Sequence, residues 1–397
     1  MLGRRRWKGY TGLRTVAKEP SISDLMGVRL GTRTSGREYV AYPRLAEARW
    51  LFPASSRAVR RSSIGGLFQP STLRGRALKE LIALGTIRGE RIHLHEDDLT
   101  RLEAEIARTL GERDMLLAFY VGVPSPHRKV TAQILDPEGR MLAYTKIATS
   151  SLSQVAVEVE QHTLLRLSES ESLRGRIPEI LGWYSWQGGK GIVITGRSSP
   201  PGPKRLNEAH LSFFRDLFLS SRRECVFDGS PMWSRMFKLW QNLEHSFPVP
   251  EISRLGLALE LLGDQLGSVS LPVSQAHGDF APWNTRLRSG SSLFVFDWER
   301  AAEGVTPLYD AFNFQAFQAA LHGRQSTLPE HRFMRVLLNV LWPEGQKHLA
   351  WLYLAYLVDV ALIYSEAQVL APGVGERKWW NWFMRQIETF LEGRVPL

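Results

Sequence analysis

At 397 residues the chain is too long for one ordinary hydrophobic core, and it suggests two or three packed units. With 44% hydrophobic and 23% charged residues it reads as globular, which excludes a disordered or fibrous chain; one cysteine, Cys225, excludes an intrachain disulfide framework or a cysteine-built metal site and suits a reducing compartment. The net charge of +10 is unevenly placed, because residues 1–110 hold 21 Lys and Arg against 11 Asp and Glu, which is the whole excess. That asymmetry leaves two readings open: a solvated basic face, or contact with an anionic surface (membrane, acidic partner or nucleic acid). No nucleic-acid-binding motif accompanies it.

In chain order, the basic start MLGRRRWKGY is followed by no apolar run long enough for a signal peptide. EYVAYPRLAEARWLFP reads as a strand or extended segment broken by Pro43 and Pro53. STLRGRALKELIAL has helical spacing with Ser71 or Thr72 as cap, and EDDLTRLEAEIARTLG is a helix with acids in its first turn and Gly111 past its end. From Met115 the pattern turns to short strands: MLLAFYVGV, KVTAQILD after the turn-rich PSPHR, and MLAYTKIA after PEGR. A helix at SQVAVEVEQHTLLRLSES follows, then a hairpin of EILGWYSWQ and IVIT around GGKG. Beyond Pro200 helices are expected at about 206–222, 231–245, 250–266, 307–322, 329–341, 346–369 and 376–392. The most apolar run, Leu349–Tyr364, is shorter than a membrane span needs and carries Asp359, so a buried core helix and no transmembrane segment are expected, with cytoplasmic residence. The expected units are a basic N-terminal extension over 1–110, a sheet-rich lobe over 111–197 and a helical lobe over 198–397, with a ligand in the cleft between lobes.

One stretch breaks the helical pattern of the last unit. HGDFAPWN carries His277, Asp279 and Asn284, and Asp297 follows thirteen residues after the Asn, room for a hairpin turning at RSGSS. Asn284 and Asp297 would then lie on adjacent strands, and an amide oxygen with a carboxylate makes a hard donor pair suited to Mg²⁺. Asp279, on the preceding loop, would orient or deprotonate a hydroxyl. His-x-Asp-x-x-x-x-Asn followed by an Asp does this work in kinases. Upstream, Lys146 lies among apolar residues of the third strand and needs a counter-charge, for which the next helix offers Glu158 and Glu160.

These residues resemble the aminoglycoside phosphotransferase and choline kinase superfamily, whose motifs read H-G-D-x-x-x-x-N and I-D-W/F-E; HGDFAPWN and VFDWE fit them, and PLYDAFNF resembles the helix start that follows. The resemblance implies an α+β, kinase-like bilobal fold. It implies that Asp279 is the catalytic Asp, that His277 supports the loop, that Asn284 and Asp297 hold Mg²⁺, and that Asp310 is a structural acid. It pairs Lys146 with Glu160, which has the E-x-x-x-L-x-x-L pattern with Leu164 and Leu167, and sets Lys146 on the phosphates of ATP or GTP. Ile194, Thr195 and Gly196 would form the hinge that meets the base. The phosphate-covering loop departs from a Gly-rich run, having only Gly122.

The implied activity is transfer of a γ-phosphate to a hydroxyl of a small molecule: a sugar, amino sugar or amino alcohol. Glu299 stands where relatives with cationic acceptors carry an acid, and KWWNWF (Lys378–Phe383) is either an aromatic cage for a quaternary amine or core packing. The alternative is a non-catalytic nucleotide-binding module, or a scaffold that meets a partner through residues 1–110.

Overall fold

The computed structural model describes residues 21–393 other than 69, 71–72, 113, 123–127, 198, 245–248, 289–291, 325–330 and 371–376. The basic first ten residues, the expected caps Ser71 and Thr72 and most of PSPHR and RSGSS therefore lie outside the described residues.

The N-terminal half opens with a short helix α1 (Ile22–Met26). The extended run around Pro43 is two strands, β1 (Gly36–Tyr42) and β2 (Trp50–Pro53), paired antiparallel. Two helices follow: α2 (Arg57–Leu67), capped by Ser56, which the sequence pattern does not announce, and α3 (Leu73–Leu84), the helix expected in STLRGRALKELIAL. After β3 (Glu90–His95) comes α4 (Glu96–Leu110), with Glu96, Asp97 and Asp98 in its first turn and Gly111 ending it at φ 74°, a left-handed conformation that glycine adopts without a Cβ clash. Next come β4 (Leu116–Tyr120), β5 (Val130–Leu135), β6 (Met141–Ala148), helix α5 (Ser151–Leu167), β7 (Ile180–Trp186) and β8 (Gly189–Ile194), in the order the sequence implies.

All eight strands form one antiparallel sheet in the order β3-β1-β2-β4-β5-β6-β8-β7. The sheet runs across the expected boundary at residue 110, because β2 pairs with β4 through Trp50 and Tyr120 and through Leu51 and Phe119. The physical reason is shared burial. One apolar cluster takes Tyr39, Leu51 and Leu102 from the N-terminal region together with Phe119, Ile134 and Val193. That cluster lies on the α4 face of the sheet. On the other face Tyr42, Phe52 and Ala118 pack against Ile64 of α2 and Ile82 of α3. Arg29, Arg37, Arg91 and Arg101 pair with acids of the same region, which leaves its net positive charge in place.

The second half contains α6 (Glu208–Leu219), α7 (Pro231–Leu243), α8 (Val249–Leu266), α9 (Tyr309–Leu321), α10 (His331–Leu341), α11 (Leu349–Leu370) and α12 (Arg377–Leu391), matching the expected helices within a few residues. Two small sheets accompany them: β9 (Arg223–Val226), β10 (Ser270–Ala276) and β13 (Ala302–Val305), and the hairpin of β11 (Thr285–Leu287) with β12 (Leu293–Val295). Helix α11 has the length and composition to cross a membrane, but 83% of its apolar window is buried within the protein. Its Asp359 is fully buried and receives Arg235 (2.8 and 3.0 Å) and the Tyr309 hydroxyl (2.7 Å), a compensated internal charge. Of KWWNWF, Trp380, Trp382 and Phe383 are buried in the helical core, where the Trp380 indole N–H donates to Ser365 (2.8 Å) and Phe383 packs on Phe317 and Tyr364. They do not line the interlobe cavity.

Candidate active site

Sheet register decides which side chains meet. Directly opposed residues on neighbouring strands share a face. The pairs Trp50–Tyr120, Tyr120–Thr131 and Thr131–Lys146 therefore set one row across β2, β4, β5 and β6 on the face toward the helical lobe. All four line a cavity of about 600 Å³ between the lobes, together with Asp279, Asn284, Asp297 and Glu299 from below.

Lys146 is buried and its Nζ donates to Glu160 Oε2 of α5 (2.5 Å) and Asp297 Oδ1 (2.6 Å). Glu160 is wholly buried, and its other oxygen accepts from the Trp298 backbone N–H (3.3 Å), so one carboxylate ties α5 to the segment that carries Asp297. Glu158 instead pairs with Lys190 near the surface (2.9 Å). Burial pushes the Lys146 pKa down, but Asp297 and Glu160 outweigh it and raise it.

The catalytic-loop segment is held by backbone contacts. Asp310, at the start of α9, accepts the N–H groups of His277 (2.7 Å) and Gly278 (3.0 Å). Gly278 has φ 78°, and a Cβ there would fall 1.9 Å from the Arg300 carbonyl oxygen, so the site needs glycine between His and Asp. His277 is fully buried against Trp298, with ring centroids 4.6 Å apart. The Asp279 N–H donates to its Nδ1 (3.2 Å), so Nε2 carries the proton and donates to the Phe296 carbonyl (3.0 Å). Burial lowers the His277 pKa to about 4, consistent with that neutral tautomer. His277 thus orients the loop from behind and is not part of the cavity wall. Burial also raises Asp310 to about 7, against the pull of its two backbone N–H donors.

Asn284 ends a short turn before β11, and Asp297 follows β12 by two residues, so the pair flanks the open end of the hairpin instead of lying on its strands. The Asn284 amide donates to the carbonyl oxygen (2.9 Å) and Oδ2 (3.0 Å) of Asp279, which leaves its Oδ1 as the remaining polar atom. Asp297 sits at φ 72°, a left-handed conformation that Asp tolerates better than most residues. Burial raises its pKa, but Lys129 and Lys146 prevail and hold it below the usual carboxylate range. Both lysines contact Oδ1, and no described residue donates a hydrogen bond to Oδ2. An amide oxygen and a carboxylate on two residues that line the cavity make a donor set that fits Mg²⁺, which prefers few protein ligands plus phosphate and water.

At the other end Ile194, Thr195 and Gly196 line the cavity with Tyr144. The Thr195 N–H is spent on the Glu179 carbonyl (2.9 Å), so contact with a base would fall to neighbouring backbone groups. A Cβ on Gly196 would lie 2.3 Å from the Tyr144 ring, which explains glycine there.

Lys129, Arg49, Trp50 and Phe68 also line the site and were not singled out by motif reasoning. Lys129, two residues before Thr131 on the same face, pairs with Asp297 (3.3 Å) and with Glu299. The Lys just before KVTAQILD's apolar alternation is the signal that points to it. Arg49, Trp50 and Phe68 are brought in by long-range pairing and carry no local signal.

No family model and no curated protein sequence matches the chain. Solved structures do. The choline kinase LicA from Streptococcus pneumoniae superposes with a TM-score of 0.53 at 12% identity, covering 74% of this chain and 98% of that one. The GDP complex of a mutant aminoglycoside 2'-phosphotransferase-IIIa gives 0.50 at 13% identity, covering 75% and 98%. An ethanolamine kinase from Plasmodium vivax is similar at 11% identity with a TM-score of 0.47, covering 80% and 89%. The chain has the kinase-like bilobal fold of the choline kinases and aminoglycoside phosphotransferases, with a sheet-rich lobe over a helical one.

Proposed function

We propose that the protein is a phosphotransferase that moves the γ-phosphoryl group of ATP or GTP to a hydroxyl of a small molecule. The observation that carries this reading is the convergence of Lys146, Asp279, Asn284 and Asp297 on one interlobe cavity of about 600 Å³, with Lys146 braced by buried Glu160. The shared fold with a choline kinase and an aminoglycoside phosphotransferase, the latter solved with GDP, supports it.

In this reading Lys146 and Lys129 position the nucleotide phosphates, and the segment Ile194–Gly196 meets the base. Asn284 and Asp297 hold Mg²⁺, which when bound offsets phosphate charge and polarises the transferring group. Asp279 orients the acceptor hydroxyl and takes its proton. A bond forms from that oxygen to the γ-phosphorus while the bond to the bridging oxygen breaks, and the nucleoside diphosphate leaves with the bridging oxygen. His277 and Asp310 hold Asp279 in place through the loop backbone.

The test is a screen of sugars, amino sugars and amino alcohols for Mg²⁺-dependent consumption of ATP and GTP, with phosphorylated product detected by mass. Product from any of these classes supports the reading. Tight nucleotide binding with no product from any class would favour the binding module.

A further inference from the structure

The far end of the cavity is built by the N-terminal region. Trp50 lies three strands from Lys146 along one cross-strand row, about 14 Å at the usual interstrand spacing. It lies on the side away from β8 and the hinge. Trp50 packs on Phe68 (centroids 4.7 Å) and on Tyr120 (5.8 Å), and its indole N–H donates to the Leu67 carbonyl (3.2 Å), which fixes the ring. This rigid apolar wall faces the cavity beyond the phosphate-binding lysines, where a base held at the hinge does not reach.

Charge narrows what the wall receives. Besides Lys129 and Lys146, which the proposed reaction gives to the nucleotide phosphates, four arginines line the cavity, Arg49, Arg128, Arg197 and Arg286, beside the acids Asp279, Asp297 and Glu299. Asp279 accepts from the Asn284 amide, and Asp297 is paired with Lys146 and Lys129. Arg49, next to Trp50, is exposed and makes no ion pair with any described residue. Arg49, Tyr120, Arg128 and Asp297 line one and the same cavity.

From this we propose that the acceptor is a hydroxylated ring compound bearing an anionic group, such as a sugar acid or sugar phosphate, with its ring against Trp50 and Phe68 and its anion on Arg49. An aromatic plane suits the apolar face of a sugar ring, and a guanidinium suits a carboxylate or phosphate. The proposal rests on the phosphotransferase reading and names the acceptor class of that same site.

The test is calorimetric titration of the full chain with glucuronate, glucose 6-phosphate, glucose, choline and kanamycin. Each is run with and without Mg²⁺ and a non-hydrolysable ATP analogue, so that the phosphate end is filled in one arm. The anionic probes are expected to bind at least about tenfold more tightly than glucose, choline or kanamycin, the size of one charge-assisted contact. Arg49→Gln is expected to remove about that factor for the anionic probes and leave the affinity for the analogue unchanged. Tighter binding of choline or kanamycin, no binding of either anionic probe, or unchanged probe affinity in both Arg49→Gln and Trp50→Leu overturns the proposal. So does a Trp50→Leu variant that loses the analogue, because a nucleotide would then occupy this end. Transfer to cationic acceptors alone defeats this inference with the phosphotransferase reading intact, and anion binding without transfer to any acceptor does the reverse.

Discussion

Asp297 meets both lysines of the cavity through a single oxygen. It is an ionised carboxylate held in a left-handed backbone conformation by two lysines, with one oxygen turned from them. If that oxygen serves a metal, Asp297→Ala retains the fold and loses the Mg²⁺-dependent part of the thermal shift caused by nucleotide; an unchanged shift removes Asp297 from the site. The Lys146–Glu160 pair, buried on both sides, gives a second prediction at this scale. Lys146→Met and Glu160→Gln, each measured by urea unfolding, are expected to be non-additive, with a coupling of about 0.5–3 kcal/mol; strict additivity means the pair is not formed. Residues such as Asp279, Asn284 and Asp297 were legible because their chemistry shows in one short stretch of chain. Lys129 and Arg49 were not, because a lysine before a strand or an arginine beside a tryptophan acquires a partner only when distant strands pair.

At the scale of elements, α6 carries a buried histidine held neutral beside the loop of Asp279. His210 is fully buried among Phe214, Phe280 and Phe314, and its Nδ1 lies 2.7 Å from Asn207 Oδ1 at the helix start. Its Nε2 has no hydrogen-bond partner among the described residues. Burial lowers its pKa to about 4 from an ordinary value of 6.5. The unfolded chain therefore takes up the proton first, and stability falls as pH drops from about 6.5 to 4, by roughly 1–3 kcal/mol for one such group. His210→Gln, which keeps a capping side chain, is expected to show a shallower fall in urea midpoint between pH 7 and pH 4.5 than wild type. An identical slope would mean that His210 is not held neutral. Long amphipathic helices such as α4 and α12 were legible from period alone. Helix α2 was not, because RAVRRSSIGGL sets two glycines and two serines where helix formers are expected. Strand β3, ERIHLH, gives no strand signal, because only Ile92 and Leu94 face inward among polar and charged neighbours.

The whole molecule does not divide where composition changes. The basic first quarter looked separable because its charge differs, yet β2 joins β4 across some seventy residues of chain, and α4 covers the sheet that holds Lys146. A chain starting at residue 111 would expose Leu117 and Phe119, both fully buried in the intact protein, at about 1.5–3 kcal/mol each. Its expected behaviour is loss of the cooperative thermal transition seen for the full chain; an unchanged transition would show that residues 21–110 are an appendage. The lobe order was legible because strand and helix periods alternate locally, whereas the joining of two sheet halves is a long-range event that no local period records.

In the proposed reaction Asp279 takes the proton of the acceptor hydroxyl. The most direct measurement is the rate of phosphoryl transfer, at saturating Mg²⁺-nucleotide and an acceptor found by screening, for wild type and Asp279→Asn. The substitution keeps size and hydrogen bonding and removes the charge. Asp279→Asn is expected to keep nucleotide affinity unchanged and to slow transfer by about 10²–10⁴-fold; transfer at the wild-type rate would mean that Asp279 is not the base.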